Sequence, residues 1–370
     1  MDLTALPADW TAGHFALRTD TPDGPLAIAL WHGAAFDMTP AFGTVSAWLN
    51  EPDPVAAIGA GVPIALPALG PLLAPCDLQA VKACGVTYVR SMLERVIEER
   101  CRGDAARAEA VRAELRGVIG DNLAALVPGS PEAMAVKARL IAMGWWSQYL
   151  EVGIGPDVEI FSKAQPMASV GHGAAIGIHP MSGWNNPEPE AVLAISAAGR
   201  VVGATLGNDV NLRDVEGRSA LLLGRAKDNN AASAIGPAIR LFDDGFGLAD
   251  VVGGTTHLTI TGEDGFVLDE TGAVAAIARD PADIVRQLIG PHHQYPDGAM
   301  LFLGTPFSPS KDRGAPGEGF THKTGDVVTI SSERLGTLRN TVQPTDACPP
   351  WVFGTGALMA SLMRRGYPRR

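Results

Sequence analysis

Apolar and polar positions divide the chain into three regimes. Over residues 1–75, short apolar runs such as the one at 26–31 alternate with Gly and Pro. They predict the short strands of a small N-terminal domain, closed by a Pro-rich stretch through Pro71 and Pro75 that reads as a linker. A strand-like run then leads into Gly85, Val86, Thr87 and Tyr88. From Ser91 to about residue 117 the pattern turns helical: Glu94, Arg95, Glu98, Glu99, Arg100 and Arg102 alternate sign at three- and four-residue spacing, as on a solvated helix face. A second amphipathic stretch covers 131–144, so the two together predict a helical insertion at about 91–148. Beyond residue 149, β-rich runs at 192–195, 201–204, 257–260 and 327–330 are separated by Gly, Asp and Asn turns. Helical patterns there are confined to 281–289 and 356–364. This is the signature of a strand-dominated α+β domain over 76–370, not of alternating βαβ units.

Composition narrows the function classes. With 46% hydrophobic and 19% charged residues in 370, a substantial core forms and disorder is excluded. The formal net charge of -11 comes with no Lys/Arg cluster, which argues against nucleic-acid binding. The apolar stretch at 56–73 is broken by Pro63, Pro67 and Pro71, so no membrane span is expected. Nothing after Met1 reads as a secretion signal. Cys76, Cys84, Cys101 and Cys348 lack metal-ligand spacing and suit reduced thiols in a cytoplasmic protein.

Candidate chemistry begins at Glu188 and Glu190, each preceded by a proline, at the head of the apolar run 191–195. Two residues apart on extended backbone, their side chains share a face. Either this is an exposed acidic edge, or a cation sits between two carboxylates that would otherwise repel. Asp209, at the end of the strand-like run from 201, adds a third carboxylate able to reach the same place. Three such oxygens suit Mg²⁺ or Mn²⁺. The eight scattered histidines offer neither a zinc set nor a two-His iron site.

Glu188, Glu190 and Asp209, followed by Lys227 in the segment 225–230, resemble the fumarylacetoacetate hydrolase family. So do the segments 161–166, 170–173, 304–306, 325–328 and 335–340, and the likeness runs over about 76–345. It implies a mixed β-roll catalytic domain, a divalent metal on Glu188, Glu190 and Asp209, and Lys227 near the substrate. It also implies a homo-oligomer, dimer or tetramer. Members that cleave carbon–carbon bonds usually carry a His three residues before a Glu to activate water. Here Ser91 stands in that place while Glu94 remains, which weakens a hydrolytic reading.

The segments 85–91, 146–152 and 207–230 look instead like the branch that dehydrates 2-keto-3-deoxy sugar acids, the pentonate (xylonate and arabinonate) members above all. That likeness implies Glu159 as general base, against a surface carboxylate at a turn. It implies Lys227 as an electrostatic or Schiff-base lysine, and Glu94 as either the acid for the leaving hydroxyl or one end of a helix salt bridge. Arg90, Ser91, Lys163 and Thr305 become substrate contacts, with Lys163 alternatively behind the metal. His172 reads as structural, and His292 with His293 as a turn. Two rival activities stay open: an acylpyruvate-type hydrolase, and a non-catalytic sugar-acid binder.

Overall fold

The run Ala191–Ile195 is apolar at every position because both of its faces are covered. In the computed structural model it belongs to the strand Pro189–Ile195. Ala191, Leu193 and Ile195 join one hydrophobic cluster, Val192 and Ala194 another, as expected for a strand sandwiched between layers. The structure describes residues 2–101, 107, 110–111, 126–309, 311–313 and 319–368; the side chains of residues 89–91, 94 and 98 lie outside that description.

Among the described residues, an eleven-stranded sheet runs in the order Val62–Ile64, Ala34–Asp37, Leu26–Trp31, His14–Thr19, Ser233–Leu241, Val201–Asp209, Pro189–Ile195, Ala299–Phe302, Ala80–Gly85, Glu159–Ala164, with Leu72–Leu73 paired beside His14–Thr19. Its strands are antiparallel except for Ala299–Phe302 against Ala80–Gly85. A five-stranded sheet contains Val267–Ala273, Thr255–Thr261, Val327–Ser332, Gly336–Pro344 and Ala175–Ile178. Leu258, Ile260, Val328, Ile330 and Leu338 of this sheet share one core with Leu193 and Leu206 of the larger one. The opposite face of the large sheet is closed by Met38, Val45, Trp48 and Leu49, which pack with Val192, Ile235 and Phe302.

The sheet runs through the boundary at residue 75. His14–Thr19 pairs with Ser233–Leu241, so the N-terminal strands extend the same sheet and share a core with it. The helical stretch after Tyr88 has a core of its own. Helices Val89–Cys101, Pro131–Ala142 and Gln148–Ile154 bury Met92, Val96, Ile97, Leu140, Tyr149 and Leu150 together. The four cysteines are buried. Among the described residues, no helix is long and apolar enough to cross a membrane.

Candidate metal centre and active site

Pro187 and Pro189 have no N–H to give, so the ladder is interrupted around Glu188. The Glu188 N–H turns instead to the Asn208 side-chain oxygen at 3.3 Å, and Asp209 N–H donates to the Glu188 carbonyl at 3.0 Å. With Glu190 paired opposite Gly207, both glutamates and Asp209 meet at one end of adjacent antiparallel strands. Carboxylate oxygens of Glu188, Glu190 and Asp209 all lie within 4.8 Å of one another, and all three residues are buried. The exposed-edge alternative is thereby excluded.

Lysines and an arginine compensate two of the three. Lys227 Nζ lies 2.5 Å from Glu188 Oε2 and 3.1 Å from Asp209 Oδ2. Lys163, fully buried, forms an ion pair with Asp209, its Nζ 2.9 Å from Oδ1, and donates to the Val210 carbonyl at 3.2 Å and to the Lys227 carbonyl. Its ammonium is thus enclosed by Asp209 and two backbone carbonyls. Arg95 reaches Glu188 Oε1 with one Nη and Glu216 Oε2 with the other at 3.2 Å.

These pairings separate the titrations. Burial pushes the Glu188 carboxyl upward, but Lys227 and Arg95 outweigh it and hold the group below its ordinary range. Burial pulls Lys227 down, yet Asp209 and Glu188 keep its ammonium charged. Glu190 has no cationic partner among the described residues; its Oε2 accepts only the Gly304 N–H, at 2.6 Å. Burial, then Asp209 and Glu188, drive its carboxyl well above the usual range.

The five carboxylates Glu159, Glu188, Glu190, Asp209 and Glu216 thus face three cationic groups, Arg95, Lys163 and Lys227. Among the described residues, and with every carboxyl ionised, the excess would be two negative charges; burial and this repulsion together hold the Glu190 and Glu159 carboxyls up, and a divalent ion would relieve it. The all-oxygen donor set is hard, which suits Mg²⁺ or Mn²⁺. Glu190→Gln is expected to leave the thermal midpoint in EDTA at least as high as that of the unsubstituted chain. It should also abolish the stabilisation that Mg²⁺ gives, about 2.7 kcal/mol at a hundredfold excess over its Kd. A thermal melt with and without metal reads both, and a retained metal response would remove Glu190 from the site.

Glu159 opens the strand paired with Ala80–Gly85, directly opposite Gly85. Its carboxylate lies over that glycine: a Cβ on Gly85 would come 1.8 Å from Glu159 Oε2. Burial, then Glu216, raise the Glu159 carboxyl to about 7 against the pull of Arg95 and Lys227. Gly85→Ala should therefore push the carboxylate aside and lower turnover by at least about tenfold, with the metal-induced stabilisation kept; unchanged turnover would show that this placement of Glu159 is immaterial.

Thr305 lines the same pocket as Gly85, Phe161, Glu190 and Lys227. Its hydroxyl lies 2.6 Å from the Phe307 carbonyl and 3.2 Å from that of Pro189. The side chains of Arg90, Ser91 and Glu94 lie outside the described residues. His172 Nδ1 sits 2.9 Å from the Thr337 carbonyl, and His293 closes a turn with Gly290. Arg95 corrects the sequence reading, which left it on a solvated face: it is 8% exposed and points into the cluster. Its position four residues after Ser91, on the same helix face, was the available signal. Glu216 lies in a segment whose likeness to relatives is evident, but nothing in its spacing marks it.

The match to a family model settles the affiliation. Residues 156–343 fit the model described as fumarylacetoacetate (FAA) hydrolase C-terminal. The chain belongs to the fumarylacetoacetate hydrolase family. Its α+β architecture of packed mixed sheets is that family's fold, and the carboxylate cluster lies within the matched segment.

Two curated relatives are each 31% identical to it. One, from Haloferax volcanii, is named "Probable 2-keto-3-deoxyxylonate dehydratase" and aligns over 194 residues, 52% of this chain and 63% of that protein. The other is 2-dehydro-3-deoxy-D-arabinonate dehydratase of Saccharolobus solfataricus, aligned over 180 residues, 49% of this chain and 57% of that protein. The chain thus matches about three fifths of these relatives' length. A solved structure of 2-keto-3-deoxy-D-arabinonate dehydratase complexed with magnesium and 2,5-dioxopentanoate shares the fold, with TM-score 0.61 at 21% identity over 90% of this chain and 98% of that one.

Proposed function

We propose that this member of the fumarylacetoacetate hydrolase family is a divalent-metal-dependent dehydratase that converts 2-keto-3-deoxy-D-pentonate (the xylonate and arabinonate derivatives are one compound) into 2,5-dioxopentanoate. The observation that carries the reading is a buried cluster of three carboxylates, Glu188, Glu190 and Asp209, beside a further carboxyl, Glu159, titrating near neutrality. The names of the two relatives point to the same substrate class.

A divalent ion held by Glu188, Glu190 and Asp209 would supply Lewis-acid polarisation of the 2-keto group, which acidifies the protons on carbon 3. Glu159, once ionised, takes one of those protons. Hydroxide leaves from carbon 4, and with that proton it amounts to loss of one water. The resulting 3,4-double bond then shifts to 4,5, and the enol so formed becomes the aldehyde at carbon 5. Lys227 acts as a fixed charge: with its ammonium held by Asp209 and Glu188 it is a poor amine nucleophile, so the Schiff-base role gives way to a positioning one. Proton transfer by a placed carboxylate is worth roughly 10²- to 10⁴-fold.

The test is NMR of 2-keto-3-deoxy-D-xylonate incubated with Mg²⁺-loaded protein and with an EDTA-treated control. Metal-dependent appearance of 2,5-dioxopentanoate is the expected result. No turnover, with pyruvate released from acylpyruvates instead, would make the protein a hydrolase; binding without product would make it a sugar-acid receptor.

A further inference from the structure

Arg95 belongs to the helical layer, not to the sheet that carries the carboxylates. Its helix is fixed in that layer by Met92, Val96 and Ile97, and Gly153 of the neighbouring helix lets Met92 approach so closely that a Cβ there would lie 2.4 Å from its sulfur. The guanidinium leaves this layer and divides itself between Glu188 Oε1 and Glu216 Oε2.

Glu188 therefore has both oxygens claimed, Oε1 by Arg95 and Oε2 by Lys227. A metal ion entering the cluster needs one of them. Lys227 is held in place by Asp209 as well, and its own carbonyl accepts from Lys163. Arg95 already rests on a second carboxylate, Glu216, which is no part of the metal cluster. The second partner of Lys227, Asp209, is itself in the metal cluster, so of the two cations on Glu188 it is Arg95 that can yield its oxygen and keep a carboxylate outside that cluster.

We infer that Arg95 is a transferable counter-charge: it gives up Glu188 when a divalent ion binds, stays tethered by Glu216, and offers its freed nitrogens to the carboxylate of the incoming keto acid. The planar fork of a guanidinium matches a carboxylate in a way that a lysine does not. The substrate half of this inference rests on the dehydratase reading; the metal half does not. Arg95 thereby also becomes a link between metal occupancy and the helical layer.

The test uses the full chain and two readouts. Mn²⁺ affinity is measured by the EPR signal of the free ion, without substrate. KM and kcat are measured with 2-keto-3-deoxy-D-xylonate at saturating Mn²⁺. Arg95→Met should tighten Mn²⁺ binding by about fivefold, because a competing cation is gone. It should also raise KM by about tenfold or more, with kcat changed far less. Arg95→Lys should restore the metal affinity of the parent but not its KM.

Glu216→Gln removes the tether and should move Mn²⁺ affinity the other way, weakening it by a few-fold as Arg95 falls back on Glu188. A merely structural arginine would lower metal affinity in both variants. Unchanged or weaker Mn²⁺ binding in Arg95→Met overturns the competition, and an unchanged KM overturns the substrate contact. If the parent chain does not turn over the keto acid, the dehydratase reading and the substrate half fall together. The Mn²⁺ arm would still decide the exchange at Glu188; should Arg95→Met fail to fold, Arg95→Gln, polar but uncharged, takes its place, with tighter Mn²⁺ binding expected and unchanged or weaker binding overturning the exchange.

Discussion

Glu159→Gln should lower kcat by roughly 10²- to 10⁴-fold, the range that a general base contributes, while leaving Mg²⁺-dependent stabilisation intact. The amide keeps the shape over Gly85 but cannot accept a proton. The stability profile of the parent chain carries a second signature of this carboxyl. Its folded value of about 7 lies above the 4.5 of the free group, so between those values the folded state holds the proton more tightly than the unfolded one. Stability is favoured at the acid end of that window and falls as pH rises through it. In Glu159→Gln that decline should lessen, leaving the part that Glu190, also raised, contributes in the absence of metal. Catalysis has the opposite sign, since the base must be ionised: kcat/KM should rise with pH and level off at or below about 7, a bound cation drawing the limb downward. Steady-state kinetics and denaturant titrations across pH 4.5 to 7 check both, and undiminished turnover in the amide variant would take Glu159 out of the chemistry.

Lys163→Met is the substitution with the largest expected effect on stability. Lys163 is fully buried, and its removal takes an ion-pair partner from Asp209 and donors from the carbonyls of Val210 and Lys227 at once. Breaking such a buried charged pair costs about 3–5 kcal/mol. The loss should shrink when Mg²⁺ is added, because the ion then compensates Asp209 in place of the ammonium. Chemical denaturation with and without Mg²⁺ measures both; an unchanged midpoint in EDTA would mean that Asp209 is satisfied without Lys163.

The parts of the site legible in sequence are those on regular strands. Alternation placed Glu188 and Glu190 on one face, and the end of the apolar run from Val201 placed Asp209, because strand periodicity carries direction with it. The continuous run Ala191–Ile195 read as a strand for the same reason that it is one: both faces are dry. What escaped was long-range pairing. Nothing near residue 75 says that His14–Thr19 will pair with Ser233–Leu241, so a run of prolines read as a domain boundary where the sheet in fact continues. Arg95 escaped for a different reason. Alternating charges on a helix look alike whether they face water or a carboxylate cluster, and the one signal for Arg95, its place four residues after Ser91, gains weight only once the tertiary neighbour, Glu188, is known. Lys163 read either as a substrate contact or as a residue behind the metal, and its direction is set by carbonyl partners remote in sequence.

Gly85, Arg95, Glu159, Glu188, Asp209, Glu216, Lys227 and Gly304 meet in space but are strung over most of the chain, and the strand Ala299–Phe302 must dock in parallel beside Ala80–Gly85 before the pocket has a wall. Contacts between such distant segments form late, after their loops have closed. The cation site is therefore a property of the finished molecule and gives the collapsing chain nothing to organise around. Added Mg²⁺ should leave the refolding rate unchanged and appear almost wholly as slower unfolding, which makes the ion a brake on loss of the native state and not a template for reaching it.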